Sequence, residues 1–215
     1  MSPIAAPGER RALLATLAGL VLLALVASAV HPHDRLTWFM EVAPVLIALP
    51  VLALTWRRHP LSTVLLWVIA FHCLVLILGG YYTYARVPLG DWVREALHLS
   101  RNPYDKLGHF MQGVTPALLA REIFLRTGAV RGRVWPAFLA GCVALAFSAI
   151  YELIEWQAAL ALGQGADEFL GTQGDPWDTQ SDMAMALIGA AVALLLVPRA
   201  AQLRPPWPSQ SAEAR

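Results

Sequence analysis

Charged residues are scarce in this chain: they make up 14% of its 215 residues, whereas a soluble domain carries about a quarter. Lysine is nearly missing, since Lys106 is the single lysine among 16 basic residues. The two cysteines, Cys73 and Cys142, stand isolated in apolar runs, which argues against a disulfide or a thiolate metal site. The sequence also lacks a P-loop, a nucleophile elbow and a His-Glu-x-x-His motif. These absences argue against a soluble protein and against the enzyme classes that those motifs mark.

Long apolar runs are what the chain has in abundance, and about 20 apolar residues are needed to cross a bilayer as a helix. The runs predict six transmembrane helices, at about 12–30, 36–56, 61–84, 106–125, 135–158 and 180–198. No linker divides them. We therefore expect an all-α, polytopic membrane helix bundle that forms a single domain over 1–198, with a disordered cytoplasmic tail over 199–215. Ala27, Ser28 and Ala29 resemble a signal-peptidase site, but the long apolar core before them favours an uncleaved anchor.

The charges are distributed unevenly between the two sides of these predicted spans. With the N-terminus in the cytoplasm, 11 of the 16 basic residues lie on the inner side, and 12 of the 15 acidic residues lie at the outer side. The positive-inside rule then predicts that both termini are cytoplasmic. The loops near 31–35, 85–104 and 159–178 are expected to face outward.

Three spans carry polar residues at helical spacing near their predicted outer ends. The sets are Asp105, His109 and Gln112; Ser148, Glu152 and Glu155; and Asp175, Asp178 and Asp182. Glu41 on the second span lies at a comparable depth. Side chains at such spacing share one helical face. The sequence therefore predicts one shared polar cavity that opens to the outer side.

The excess of carboxylates in this predicted cavity requires neutralisation, either by raised pKa values or by a bound cation. The candidate metal ligands are Asp105, His109, Glu152, Glu155, Asp175, Asp178 and Asp182. Oxygen ligands with one imidazole suit Mg²⁺, Mn²⁺ or Ca²⁺, and Zn²⁺ is compatible. A local alternative remains open, in which Asp105 and Asp175 are helix N-caps, the latter with Pro176 at the first helical position.

The segments "YDKLGHFMQG", "YELIEW" and "GTQGDPWDTQSDM" resemble the YjdF-type family of bacterial inner-membrane proteins. More distantly, "DKLGHF" at 105–110 is similar to a signature of VanZ-like membrane proteins. In that pattern a later Glu and Asp follow on membrane helices, which Glu152 and Asp178 or Asp182 would match, although Asp182 is followed by "MAM" instead of the usual Asn. The resemblance implies a membrane family and supplies no reaction.

Two classes of function stay open. As an enzyme, the protein would hold a divalent cation at the outer leaflet and act on lipid-linked or phosphate-bearing envelope substrates. Glu152 or His109 would then be the general base, and Lys106 would pair with a phosphate oxygen. The alternative is a non-catalytic metal-binding, ligand-binding or structural membrane protein with a protonated polar network. Membrane lipids are the expected surroundings, and nucleic acid is not an expected partner.

Overall fold

The computed structural model describes residues 7–162 and 173–203, and all the regular structure in these two stretches is helical. The helices are α1 (Pro7–Ser28), α2 (Arg35–Thr55), α3 (Thr63–Tyr82), α4 (Pro88–Ala96), α5 (Tyr104–Thr127), α6 (Trp135–Leu162), α7 (Asp178–Leu196) and α8 (Arg199–Gln202). A 3₁₀ turn, Tyr84–Arg86, joins α3 to α4. The six long helices coincide with the six predicted spans to within five residues at every end, so the all-α prediction is confirmed.

Five of the long helices are long and apolar enough to cross a membrane: α1, α2, α3, α6 and α7. The sixth, α5, is too polar by composition because it carries charged or ionisable residues near both ends. Its 24 residues nevertheless extend about 36 Å, which exceeds the hydrocarbon thickness of about 30 Å. Helix α5 packs against α3, α6 and α7, so apolar neighbours separate much of its polar surface from lipid.

Large apolar side chains cover the outside of the bundle. Leu54, Leu195 and Leu196 are 81%, 83% and 74% exposed, an arrangement that water disfavours and a bilayer favours. Inside, Leu65 of α3 and Leu118 of α5 are fully buried. The long helices therefore expose large apolar side chains, and a set of polar residues is buried between the helices. This is the distribution expected of a multi-pass membrane protein.

Helices α5 and α7 are in backbone contact through two glycines. A Cβ atom added at Gly113 would lie 1.8 Å from the carbonyl oxygen of Ala186, and one added at Gly189 would lie 2.1 Å from that of Phe110. Small residues allow such close approach of membrane helices. Gly113 lies one turn after His109, and Ala186 lies one turn after Asp182. The glycine contact therefore sets the distance between these two ionisable side chains.

Two features of the predicted architecture were wrong. The segment 85–104 was predicted as a loop, but it contains the 3₁₀ turn and α4, which begins with Pro88 and has Asp91 in its first turn. The predicted disordered tail is ordered at its start, since α8 forms and the side chain of Gln202 is buried, donating to the carbonyl oxygen of Leu118 at 2.6 Å. Residues 204–215, and 163–172 of the predicted 159–178 loop, lie outside the described residues.

Candidate metal centre

The beginnings of α5 and α7, the second half of α6 and the first third of α2 meet at one end of the bundle and form an acidic cluster. We define this acidic cluster as Glu41, Asp105, Lys106, His109, Glu152, Glu155, Asp178 and Asp182. At its centre, Asp105, His109 and Asp182 each offer one ligand atom, and these atoms all lie within 4.8 Å of one another. The His109 Nε2 atom is 3.4 Å from Asp105 Oδ1 and 3.8 Å from Asp182 Oδ1. Two carboxylates and an imidazole at this separation match the donor set of a divalent cation site.

Among the residues that the structure describes, two buried carboxylate oxygens beside this centre have no hydrogen-bond partner. One is Oδ2 of Asp105, and the other is Oε1 of Glu152. The Glu152 residue is only 7% exposed, and its Oε1 atom lies 3.7 Å from His109 Nδ1. Buried polar atoms are nearly always satisfied by protein, ordered water or an ion. These two orphaned oxygens therefore point to a ligand that the side chains themselves do not supply.

Lys106 and Arg101 supply positive charge on the outer edge of the cluster. The Lys106 ammonium lies 2.6 Å from Asp182 Oδ1, 3.1 Å from Asp178 Oδ1 and 2.6 Å from the Ser181 hydroxyl. Arg101 donates to Asp178 at 2.5 Å and pairs with Asp175 at 3.0 Å. Partial burial alone would lower the pKa of Arg101, but the nearby carboxylates of Asp178 and Asp175 outweigh it and raise that pKa. Arg101 therefore stays charged.

The position of Arg101 depends on a reciprocal contact between two loop residues. The Asn102 backbone N–H donates to Gln173 Oε1 and the Gln173 Nε2 atom donates to the Asn102 carbonyl, both at 3.1 Å. The buried Asn102 side chain also donates to the Val87 carbonyl at 3.0 Å. This contact ties the α4–α5 loop to the segment before α7. Sequence analysis missed Arg101 as a site residue, because no helical spacing connects a loop residue to the cluster.

Two tyrosines border the cluster around Glu41. The Tyr151 hydroxyl lies 3.5 Å from Glu41 Oε2, and the Tyr84 hydroxyl also interacts with the Glu41 carboxyl group. Burial, followed by the nearby Glu41 carboxyl, raises the pKa of Tyr84 well above its ordinary value, so this hydroxyl keeps its proton. A Cβ atom at Gly79 or Gly108 would lie within 3 Å of the Tyr84 ring. Glycine at these positions makes room for the ring, and it is the only sequence signal that could have drawn attention to Tyr84.

The N-cap interpretations of Asp105 and Asp175 are wrong. Helix α5 begins at Tyr104, whose backbone N–H donates to Asn102 Oδ1 at 3.0 Å, and the Asp105 side chain instead faces His109 and Lys106. Helix α7 begins at Asp178, so Asp175 precedes the helix and does not share its face. Asp175 instead accepts from the Trp177 backbone N–H at 2.9 Å.

The predicted ligands therefore occupy three zones. Asp105, His109, Glu152 and Asp182 meet at the centre. Glu155 lies close enough to Glu41, Glu152 and His109 to interact with them electrostatically. Asp178 is held by Arg101 and Lys106, and the Asp175 side chain, 31% exposed, marks the outer edge. The exposed fraction of the side chain rises from 3% at Asp182 to 20% at Lys106 and 31% at Asp175. Polar side chains thus connect the centre with the end of the bundle.

A second buried polar group lies at the other end of the bundle, and we call it the arginine clamp: Arg10, Ser62, Arg121, Glu122, Arg126 and Gln202. The sequence prediction placed Arg121, Glu122 and Arg126 on the cytoplasmic side, and in the structure they are side chains of α5 with almost no exposure. Arg121 donates to the carbonyls of Leu194 and Val197 at 2.8 and 2.6 Å. The clamp therefore satisfies carbonyls at the end of α7, where helices leave them free.

The same clamp joins α3 to α5. The Glu122 carboxylate accepts from the Ser62 backbone N–H at 2.8 Å and from the Ser62 hydroxyl at 2.5 Å, and it pairs with Arg126 at 2.8 Å. Arg126 in turn donates to the Pro60 carbonyl at 3.1 Å. All of these contacts are within the protein, so we assign the clamp a structural role.

Comparison with known proteins identifies the family. A family model described as "Predicted membrane protein (DUF2238)" matches residues 13–202. The chain belongs to this family. One relative, the inner membrane protein YjdF of Escherichia coli (strain K12), is 58% identical over 187 residues, which are 87% of this chain and 90% of the relative. No solved structure matches the chain. The YjdF-type resemblance is thus confirmed, whereas neither comparison shows the VanZ-like resemblance.

Proposed function

We propose that the acidic cluster binds a divalent cation and uses it to bind phosphate-bearing, lipid-linked substrates of the cell envelope. The observation that carries the proposal is the central group of Asp105, His109 and Asp182, whose ligand atoms lie within 4.8 Å of one another. The orphaned oxygens of Asp105 and Glu152 support it. The cluster and Asp175 together contain seven carboxyl groups, whereas the positive charges beside them are those of Arg101 and Lys106. A bound cation would offset this excess of negative charge.

The donor atoms limit the kinds of cation that would fit this site. Carboxylate oxygens with one imidazole suit Mg²⁺, Mn²⁺ or Ca²⁺, and Zn²⁺ accepts the same set. When bound, the cation would neutralise phosphate charge. Lys106, at the outer edge of the centre, is positioned to contact a phosphate oxygen. Glu152, whose buried Oε1 atom has no hydrogen-bond partner among the described residues, is the candidate general base.

The location of the cluster supports a lipid-linked substrate. The cluster lies at the end of apolar helices, where a lipid headgroup lies in a bilayer. The excess of basic residues on the opposite side favours an outward orientation of the cluster in a bacterial inner membrane. The name of the Escherichia coli relative also refers to an inner membrane.

A non-catalytic function is the second candidate, and the position of Lys106 favours it. Its ammonium already contacts Asp182, Asp178 and Ser181. The positive charge of Lys106 therefore offsets part of the negative charge of the cluster without a metal. In this alternative, the remaining carboxyl groups are protonated and hydrogen-bonded, and the cluster holds α5, α6 and α7 together.

The test is thermal unfolding of detergent-purified protein after EDTA treatment and after return of Mg²⁺, Mn²⁺, Ca²⁺ or Zn²⁺. A bound cation raises the unfolding temperature. Asp182→Asn should abolish this shift, whereas Asp178→Asn, one turn away on α7 and also a partner of Lys106, should retain it. A phosphate-bearing lipid should add a further shift only with metal, and the same lipid without its phosphate should not. A metal response that Asp182→Asn retains in full would overturn the central site, and no response in the wild type would favour the protonated network.

A further inference from the structure

A groove between α1 and α2 lies at the end of the bundle opposite to the acidic cluster. Both helices pack against α3, which forms the floor of the groove. The cavity has a volume of about 240 Å³. Its walls include Ala15 and Ala18 of α1 and Ala48 and Ala53 of α2, and its floor includes Leu66 and Ala70. Small side chains on both facing helices keep the groove open, and the proposed function does not use it.

The length of the groove matches one leaflet of a bilayer. Along α1 it is lined from Arg11 to Val21, a rise of about 15 Å, which is half of the hydrocarbon thickness of about 30 Å. Its deep end is at Cys73, halfway along α3. A transmembrane helix of a partner would contact both leaflets. A groove that ends at the middle of the membrane fits a single acyl chain instead.

The mouth of the groove carries positive charge. Arg11 lines it together with Trp56, and the exposed Arg57 and Arg58 follow directly. The Arg10 guanidinium lies 5.7 Å from the Trp56 ring centroid, so the beginning of α1 and the end of α2 are adjacent. Arg10 points inward to the Leu61 carbonyl, whereas Arg11 is exposed. Arginine beside an interfacial tryptophan is suited to an anionic headgroup.

We propose that this groove binds one anionic phospholipid from the leaflet on the N-terminal side of the bundle. One acyl chain lies between α1 and α2, and the headgroup phosphate contacts Arg11. The binding is non-covalent and is independent of the metal centre, which lies at the other end of the helices.

The experiment is native mass spectrometry of the full chain in detergent with phosphatidylglycerol or with phosphatidylcholine of identical acyl chains. The wild type should retain one phosphatidylglycerol in preference to phosphatidylcholine. Arg11→Gln should weaken phosphatidylglycerol binding about fivefold, the effect of one basic residue at a membrane surface. Ala18→Phe, which fills the groove, should abolish binding of both lipids. The matched control is Gly19→Phe, the next residue of α1, where an added Cβ atom meets nothing within 4 Å; it should bind as the wild type does.

Ala48→Phe fills the groove from the facing helix and serves as a second variant if Ala18→Phe unfolds, as judged by thermal melting. Equal lipid retention by the filled variants and the Gly19→Phe control would overturn the proposal. So would equal retention of the two lipids by the wild type. A wild-type dimer that Ala18→Phe converts to a monomer would assign the groove to a second copy of the chain and would also overturn it.

Discussion

The ammonium group of Lys106 lies 2.6 Å from the Oδ1 atom of Asp182, the same oxygen that lies 3.8 Å from the imidazole of His109. One carboxylate oxygen is therefore shared between an internal cation and the group that would hold a metal. Because Lys106 is the only lysine of the chain, its charge at this position distinguishes the metal hypothesis from the network hypothesis. The two hypotheses predict opposite effects of removing it.

Lys106→Met should increase metal affinity. The ammonium repels an incoming cation, and like charges in contact cost several kcal/mol, so roughly a tenfold gain is a lower limit. Lys106→Arg keeps the charge and should not show this gain. Metal titration followed by the unfolding temperature measures both variants. Loss of folding in Lys106→Met, with no metal response, would instead identify Lys106 as a structural member of the network.

The metal-dependent increase in unfolding temperature should diminish as the pH falls. Carboxylate and imidazole ligands bind a metal only when deprotonated, so protons compete with it, and the increase should be larger at about pH 8 than at about pH 5. The sign follows from linkage: the ligands take up protons at low pH and release them when metal binds. Asp182→Asn, which removes a ligand, should give no metal shift at either pH. A wild-type shift that grows at low pH would exclude this ligand set.

The helices were predictable from the sequence because the thickness of the bilayer fixes the length of each apolar run, and each run marks one helix. The spacing of Asp105 with His109 and of Glu152 with Glu155 also placed these residues on helix faces that meet at the cluster. Helical periodicity determines which side chains share a face. Because periodicity relates residues of the same helix, it predicted correctly which residues of each helix face the cluster.

Contacts between elements were not predictable in this way. Arg101 reaches Asp178 because a reciprocal bond between Asn102 and Gln173 joins two loops, and loop geometry has no sequence period. The predicted Asp175 N-cap failed because α7 begins three residues later. Burial of Glu122 was missed because its partner Ser62 lies 60 residues away.

The orientation of the bundle is a prediction that labelling can check. In a chain with Cys73 and Cys142 replaced by alanine, a cysteine at Glu95 should react with a membrane-impermeant maleimide added to intact cells. Glu95 lies on the α4 side with 75% of its side chain exposed. A cysteine at Arg133, exposed at the other end of the bundle, should react only after lysis. The opposite pattern would place the acidic cluster on the cytoplasmic side.

Glu122→Ala should destabilise the fold more than a Glu→Ala substitution at an exposed position. It removes the acceptor of both Ser62 bonds and the carboxylate that pairs with Arg126 at 2.8 Å, and breaking a buried pair costs about 3–5 kcal/mol. Glu95→Ala is the matched control, and at an exposed position it should change stability by about 0.5 kcal/mol or less. Unfolding in detergent measures both. Similar stability of the two variants would contradict the structural role of the arginine clamp.

Close packing of α5 on α7 should be necessary for the metal centre, and two helix-interior glycines test this. At Gly189 a methyl group would meet the Phe110 carbonyl oxygen at 2.1 Å, and backbone cannot move aside without separating the helices. Gly189→Ala should therefore lower the unfolding temperature and weaken the metal response, since Asp182 moves away from His109. At Gly141 the nearest atom is the flexible end of Leu194 at 4.0 Å. Gly141→Ala should be neutral, or more stable by up to about 1 kcal/mol because alanine favours the helix, and it should keep the metal response. If Gly189→Ala kept an unchanged metal response despite lower stability, the centre would not depend on the α5–α7 distance, and Asp182 would have to be excluded from the ligands.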